Sequence, residues 1–204
     1  MLVIGIAGKK RSGKDTVAKL IMACAERAGI KATRRALADT LKEECARMIA
    51  IELESGFEPD QLLTFKRVLQ EMHDDITKEK YRLLLQWWGT EFRRGMVSDS
   101  YWVDKLRDWL LQHKSHLQQE IFVVPDVRFP NEIKMIKQQG GLIINVYRPE
   151  IEGSDGHASE HALNGMMGGW FYTIDNNGDL DMLQHTVERL FPMISDWAWG
   201  GVSQ

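Results

Sequence analysis

Residues 1–16 read MLVIGIAGKKRSGKDT, and the fold class follows from how this stretch divides. Leu2–Ala7 is an apolar, β-branched run long enough for a strand buried on both faces. It stops at Gly8, and Gly8, Gly13 and Lys14 stand at the G-x-x-x-x-G-K spacing of a phosphate-binding loop. The glycines allow backbone conformations that turn successive N–H groups inward around an anion. Lys14 adds a point charge for β- and γ-phosphates, and a helix beginning near Gly13 adds its positive dipole end. The residue after the lysine is Asp15, where such loops normally carry the Ser or Thr that reaches magnesium. The hydroxyl comes one position later, at Thr16. A glycine-rich strand–helix turn without a ligand is the plain alternative. The strand before, the helix after and the lysine in register point instead to a nucleoside triphosphate.

The remaining composition sets the frame. With 204 residues, 44% of them hydrophobic and 27% charged, the chain has material for one α/β domain with a substantial core. A net charge of −3 gives no long-range attraction to nucleic acid. A local cationic pocket is still available, because Lys9, Lys10, Arg11 and Lys14 crowd one loop. Cys24 and Cys45 lie in helical patterns without metal-type partners, so they read as buried thiols of a reducing compartment. The chain enters a core strand without the basic start of a signal peptide, and no apolar run approaches the roughly 18 residues that span a membrane. A cytoplasmic protein is expected.

Asp15–Ala28 repeats apolar residues at Val17, Leu20, Ile21, Cys24 and Ala25, one face of a helix that Gly29 ends. Ile30–Ala38 reads as a second strand, in which Arg34 and Arg35 are either solvated edge charges or ligand-facing. Asp39 or Thr40 is placed to cap the next helix, to about Ile51. Glu52–Asp60 reads as a loop, and Asp60–Asp75 and Lys78–Arg94 as two more helices. A helical insertion of about 39–116 therefore separates the second and third strands. Within it, the adjacent Trp87 and Trp88 cannot both face one core, so either one lines a groove or they pack on different helices. Ser100 is placed to cap a helix carrying Trp102, Val103, Leu106, Trp109 and Leu110 on its inner face.

Glu120–Asp126 is the third strand, and an apolar strand ending in Asp is a Walker-B-like arrangement. In a parallel sheet that carboxylate emerges beside the phosphate loop. Pro130–Gln139 is a short helix with Glu132 in its first turn, Leu142–Tyr147 a fourth strand and Trp170–Ile174 a fifth. Leu180–Ile194 is the last helix, and Trp197–Gln204 shows no pattern. The glycine-rich segment of about 150–169 suits a lid over phosphates or a plain surface loop. Its His157, Glu160 and His161 lack the spacing of a zinc site. Strand–helix alternation after an initial phosphate loop predicts a three-layer α/β/α unit around a five-stranded parallel sheet, with ligand at the strands' C-terminal ends.

Several separated segments resemble one family, the deoxynucleoside monophosphate kinases of tailed bacteriophages. They are Gly8–Thr16 (GKKRSGKDT), Leu85–Asp104 (LQWWGTEFRRGMVSDSYWVD), Phe122–Glu132 (FVVPDVRFPNE), Ile144–Pro149 (INVYRP), Gly156–Glu160 (GHASE) and Ile174–Leu180 (IDNNGDL). The resemblance implies a single P-loop kinase domain, ATP as donor and a deoxynucleoside 5′-monophosphate as acceptor. By position, Lys10, Arg11, Ser12, Gly13, Lys14, Asp15 and Thr16 would cradle the ATP phosphates, and Asn176 would lie on the adenine side. Gly89, Thr90, Trp102, Asp126, Arg128 and Glu132 would shape the acceptor site. Residues 45–80 do not correspond, so base selectivity does not transfer. Members of this group often dimerise, and nothing in the sequence identifies an interface. A phage-encoded enzyme would work in the host cytoplasm, making precursors for phage DNA.

The chemistry of the residues agrees. Phosphoryl transfer needs positioning and positive charge more than covalent chemistry. Lys14 and Arg11 are placed to neutralise the donor, Arg128 the acceptor phosphate, and Arg148 to swing over the transferred group. Mg²⁺ would bridge the β- and γ-phosphates and keep several waters, with Asp126 holding it directly or through water and Asp15 a second possible ligand. Trp102, Trp87 or Trp88 offers a stacking surface for the acceptor base. Glu132 either accepts from base or sugar or favours its helix N-terminus. Three rival readings compete, one of them a binding module that holds nucleotide without transferring it. GKKRSGKDT also resembles the phosphate loop of animal phosphomevalonate kinase. A nucleic-acid-dependent NTPase would want a basic surface and a catalytic glutamate after the Walker-B strand, and neither is evident.

Overall fold

Parallel strand pairing, the strictest requirement of the sequence pattern, is met throughout the sheet. A computed structural model of the chain describes residues 1–53, 58–74, 76–113, 119–149, 162–163 and 168–200. Five strands, β1 (Leu2–Ala7), β2 (Lys31–Arg34), β3 (Glu120–Val127), β4 (Leu142–Tyr147) and β5 (Tyr172–Asp175), run in the order β2-β3-β1-β4-β5. Every pairing is parallel. The chain divides into two compact units, Met1–Ala36 with Arg107–Gln204, and Leu37–Leu106.

The first unit is the sheet and the helices on its two faces. Side chains alternate along a strand, so Leu2, Ile4 and Ile6 of β1, Ile121 and Val123 of β3, and Ile144 and Val146 of β4 share one face. They pack there on Val17, Ile21 and Ala25 of α1 (Lys14–Arg27) and on Leu183, Val187, Leu190 and Ile194 of the last helix, α7 (Leu180–Trp199). The opposite face receives α6 (Pro130–Gln138). Contact there is close: a Cβ at Gly5 would stand 2.6 Å from Ile143 Cδ1 and 2.7 Å from Ile136 Cδ1. Because β1 is covered on both faces, its sequence is continuously apolar rather than alternating.

The second unit begins with a helical pair, α2 (Leu37–Leu53) and α3 (Glu58–His73), whose Cys45, Ala46, Val68 and Met72 form a small core. A short 3₁₀ turn (Lys78–Tyr81), α4 (Arg82–Gln86) and a π-helix (Trp87–Val97) come next, and then α5 (Tyr101–His113) begins. The last residues of α5 belong to the first unit, where Trp109 meets Phe122 edge-on at 5.5 Å. Cys24 and Cys45 are both buried free thiols, and burial pushes Cys45 up to about 12. Among the described residues no helix is long and apolar enough to cross a membrane.

Several elements differ from expectation, among them the fifth strand, which is Tyr172–Asp175 rather than Trp170–Ile174, and α3, which begins at Glu58 rather than Asp60. The second strand ends at Arg34, not Ala38. Its pairing with β3 stops at Arg34↔Val123, two residues before Pro125, and Leu37 and Ala38 open α2 instead. Asp39 therefore sits inside the first turn of α2, not at its cap. The helix expected over Lys78–Arg94 is three segments of different pitch. The last helix continues through Trp197 to Trp199, with Asp179 as its cap accepting from Met182 N at 2.9 Å. Glu52 and Leu53 are helical rather than loop, whereas 54–57 lie outside the described residues. The lid expected over about 150–169 also lies outside them, apart from residues 162–163 and 168–169.

Candidate active site

The loop between β1 and α1 has the backbone of an anion cradle. Gly8 (φ +143°), Arg11 (φ +64°) and Gly13 (φ +103°) take left-handed conformations, and Ser12 N donates to Lys9 O at 3.2 Å. Gly13 is also the N-cap of α1 and has no side-chain cap, so the first N–H groups of the helix are left for a ligand. Two contacts explain the glycines. A Cβ at Gly8 would lie 2.4 Å from Val146 O, and one at Gly13 would lie 2.5 Å from Asn176 Nδ2.

Asn176 is expected near adenine, and its side chain braces the loop. It is buried, its N–H donates to Tyr147 O at 2.7 Å, and its Nδ2 donates to Ser12 O at 2.8 Å. Gly13→Ala should therefore lose affinity for a triphosphate and lower the melting temperature, because it combines a left-handed φ, worth about 1–3 kcal/mol of strain, with a clash against that brace. Isothermal titration with a nucleoside triphosphate and a thermal melt check both effects.

Lys14 is the most constrained charge of the site. It is 7% exposed and its Nζ donates to Lys9 O at 2.5 Å. Burial is the main cause that lowers it to about 8, and the nearby Arg128 lowers it further, while Asp15 and Asp126 act in the opposite sense. The structure thus brings four of the expected residues into one electrostatic neighbourhood. Asp15 itself is 79% exposed and its Oδ1 is 4.0 Å from Arg34 Nη2. That places Arg34 on the site side of its strand end.

Pro125 accounts for the position of Asp126. Gly5 pairs with Val124 and Ala7 with Val127, so two residues of β3, Pro125 and Asp126, face one of β1. This is a bulge, and it falls where proline has no N–H to give to the ladder. The bulge re-aims Asp126 at the strand's C-terminal end. Glu132 fixes the turn between β3 and α6: 2% exposed, its Oε2 accepts from Arg128 N at 2.7 Å and Phe129 N at 3.0 Å. Of the two roles open to Glu132, the geometry shows the helix-terminal one, and it sets the backbone that carries Arg128.

A cleft of about 400 Å³ opens from this loop. Arg11, Lys14, Asp15, Thr16 and Arg148 line it together with Gly13, Asn176, Gly178, Asp179, Leu180 and Leu183. Cationic side chains together with a few apolar ones suit a nucleotide. Gly178 and Leu180 fall within the strand-to-helix segment IDNNGDL, whereas Leu183 lies beyond it and carries no motif.

Gly89, Thr90 and Trp102 lie in the second unit. Trp102 is 4% exposed and its Nε1 donates to Gly89 O at 2.8 Å, so this indole packs and holds the π-helix. Trp87 is 47% exposed and stacks on Phe92 at 5.5 Å, whereas Trp88 packs against the helical core and donates to Glu44 Oε1 at 3.1 Å. Sequence reading assigned no role to Glu44, Arg93 or Tyr101, which that contact joins.

Two features define the class: an anion-cradling loop opening a helix, and a strand-end carboxylate and arginine beside its buried lysine. On a five-stranded parallel sheet they belong to a P-loop kinase-like three-layer α/β fold. The chain belongs to the deoxynucleotide monophosphate kinase family, whose model matches residues 47–187, and it is therefore a phosphotransferase acting on nucleotides. A protein of Acanthamoeba polyphaga mimivirus, named "Putative deoxynucleotide monophosphate kinase", is 29% identical over 174 residues, which is 80% of this chain and 82% of the viral protein. The family match begins after the phosphate loop, so the reading of residues 8–16 rests on their own spacing and backbone.

Proposed function

We propose that the chain transfers the γ-phosphoryl group of ATP directly to a deoxynucleoside 5′-monophosphate. The observation that carries this reading is the buried Lys14, set in a left-handed loop with Arg128 and Asp126 close enough to shift its charge. An oxygen of the acceptor phosphate attacks the γ-phosphorus as the bond to the bridging oxygen of ADP breaks, giving ADP and a deoxynucleoside diphosphate. Charge on the transferring group is the main demand on the protein. Lys14 and the loop N–H groups hold the β- and γ-oxygens, Arg11 and Arg148 add charge from the cleft wall, and Arg128 neutralises the incoming phosphate. In the cell the product feeds DNA synthesis; the phage setting in the host cytoplasm is the one that the sequence resemblance implies.

The donor set fits a hard cation that brings its own ligands. Among the described residues no group of three or more His, Cys, Asp or Glu side chains is placed to cage a metal. Mg²⁺ needs no such cage, since it keeps waters and phosphate oxygens. Asp126 would hold it, and Asp15, facing Arg34, would act through water. The ion would neutralise charge on the β- and γ-phosphates.

The low value of Lys14 has a measurable consequence. Protonated Lys14 is the form that binds phosphate, so kcat/KM for ATP should fall as pH rises through about 8. Bound phosphates favour the ammonium, so kcat should hold to higher pH. Stability moves the other way. Between about 8 and 10.5 Lys14 is protonated in the unfolded chain and neutral in the folded one, so its own contribution to stability rises with pH, and above about 9 the buried Cys45 thiol contributes in the opposite sense.

A coupled ADP-release assay with ATP, Mg²⁺ and each monophosphate in turn tests the reading. The panel is dAMP, dCMP, dGMP, dTMP, 5-hydroxymethyl-dCMP, the ribose counterparts and phosphomevalonate. At least one deoxynucleotide should raise ADP release well above background. Release driven by phosphomevalonate alone, or by no acceptor, would contradict it.

A further inference from the structure

The π-helix Trp87–Val97 is unusual for its length, because π turns normally occur as single-turn insertions within α-helices. Ser98 N continues its i→i−5 pattern by donating to Arg93 O at 2.9 Å. In an α-helix the neighbours of Trp88 would be three and four residues away. Here the guanidinium of Arg93, five residues on, lies 5.2 Å from the Trp88 ring centroid. Phe92, four residues on, is as close, with its ring centroid 5.1 Å from that of Trp88, so the backbone bonds define the π register and the i,i+5 contact accompanies it.

Glu44 holds both members of the pair. Its Oε1 accepts from Trp88 Nε1 at 3.1 Å and is ion-paired with Arg93 Nη2. Its Oε2 accepts from Tyr101 Oη at 2.9 Å, which fastens the start of α5 to the same carboxylate. The Arg93 guanidinium also lies 5.0 Å from the Phe92 ring and 4.8 Å from the Tyr101 ring. One turn earlier on α2, Leu41 reaches the same helix: a Cβ at Gly89 would stand 3.0 Å from Leu41 Cδ2. A side chain there would crowd the end of Leu41, so the glycine leaves room for α2 to lie close to this helix.

We propose that Glu44 is the positioning residue that holds residues 87–97 in the π register, and so sets Gly89 and Thr90 for acceptor recognition. This rests on the kinase reading of the site. Without the carboxylate, Trp88 and Arg93 lose their common partner and the segment is free to tighten toward the α register. Gly89 and Thr90, between them in sequence, would rotate away from their present direction. Donor binding does not depend on Glu44.

The test compares wild type with Glu44→Ala, Glu44→Gln and Tyr101→Phe, by steady-state kinetics and by amide hydrogen exchange over residues 87–97. Hydrogen bonds to a charged carboxylate are among the stronger ones, so Glu44→Ala should raise KM for the deoxynucleotide by about tenfold and leave KM for ATP near wild type. Glu44→Gln keeps the acceptor oxygen for Trp88 and should recover part of the loss. Exchange over 87–97 should quicken in both. If Glu44→Ala does not fold, Tyr101→Phe, which removes only the Oε2 bond, should still quicken that exchange and raise the deoxynucleotide KM by about twofold. Unchanged exchange, or equal rises in both KM values, would overturn the proposal. If wild type itself uses no deoxynucleotide, the kinase reading fails, and hydrogen exchange alone decides whether Glu44 holds the helix.

Discussion

Lys14→Ala is expected to cut phosphoryl transfer by about 10³-fold while the protein stays folded. The ammonium sits at 7% exposure in the first turn of α1, where a charge acts on a bound phosphate with little competition from water. Its loss removes transition-state stabilisation from a buried position, whereas Arg11 adds its charge from the cleft wall. The structural cost is small. One hydrogen bond to Lys9 O disappears, worth about 1 kcal/mol. The depressed pKa shows that holding this charge is itself unfavourable to the native state, and its removal offsets part of the loss. A melting temperature within a few degrees of wild type, together with collapsed kcat, is the expected pair of results. Activity within tenfold of wild type would contradict the donor-site assignment.

Arg128→Ala is expected to lower kcat/KM for the monophosphate by about 10²-fold, the scale of losing a charge-assisted contact to phosphate. KM for ATP should change much less. A second effect separates this arginine from a bystander. Its charge is the second cause, after burial, of the low value of Lys14. Removing it should move the alkaline fall of kcat/KM for ATP to higher pH. Because Glu132 holds the Arg128 backbone through Oε2, the substitution leaves the turn intact and the fold unaffected. An unchanged pH profile with unchanged monophosphate kinetics would place Arg128 outside the site.

What the sequence made legible was local chemistry with a fixed spacing. Leu2–Ala7, the glycine loop after it, the third strand and the Glu132 helix all occur where their patterns put them, although β3 runs one residue past Asp126 to Val127. Each is specified by neighbours a few residues apart: an apolar run, a glycine pair, a proline that breaks a ladder. Features set across long stretches of chain were not legible. The second strand stops at Arg34, where its one partner among the described residues, β3, bulges two residues later, and no pattern in residues 30–38 encodes that. Asn176 braces Ser12 from 164 residues away, so a role beside adenine was the natural expectation and the hydrogen bond to the loop was not. Glu44 lies 44 and 57 residues from Trp88 and Tyr101, in a stretch with no motif, and only their convergence gives it meaning. The π register is likewise hidden, since WWGTEFRRGMV is equally compatible with an α-helix.

In the proposed reaction one protein both binds a triphosphate in the Gly8–Thr16 loop and hands its terminal phosphoryl group to a deoxynucleotide. Following γ-labelled ATP in the presence of Mg²⁺ and the monophosphate selected by the substrate panel tests it most directly. Label is expected in the deoxynucleoside diphosphate, one per ADP formed, and Lys14→Ala is expected to abolish the transfer. Label released as inorganic phosphate, at a rate indifferent to the monophosphate, would contradict it.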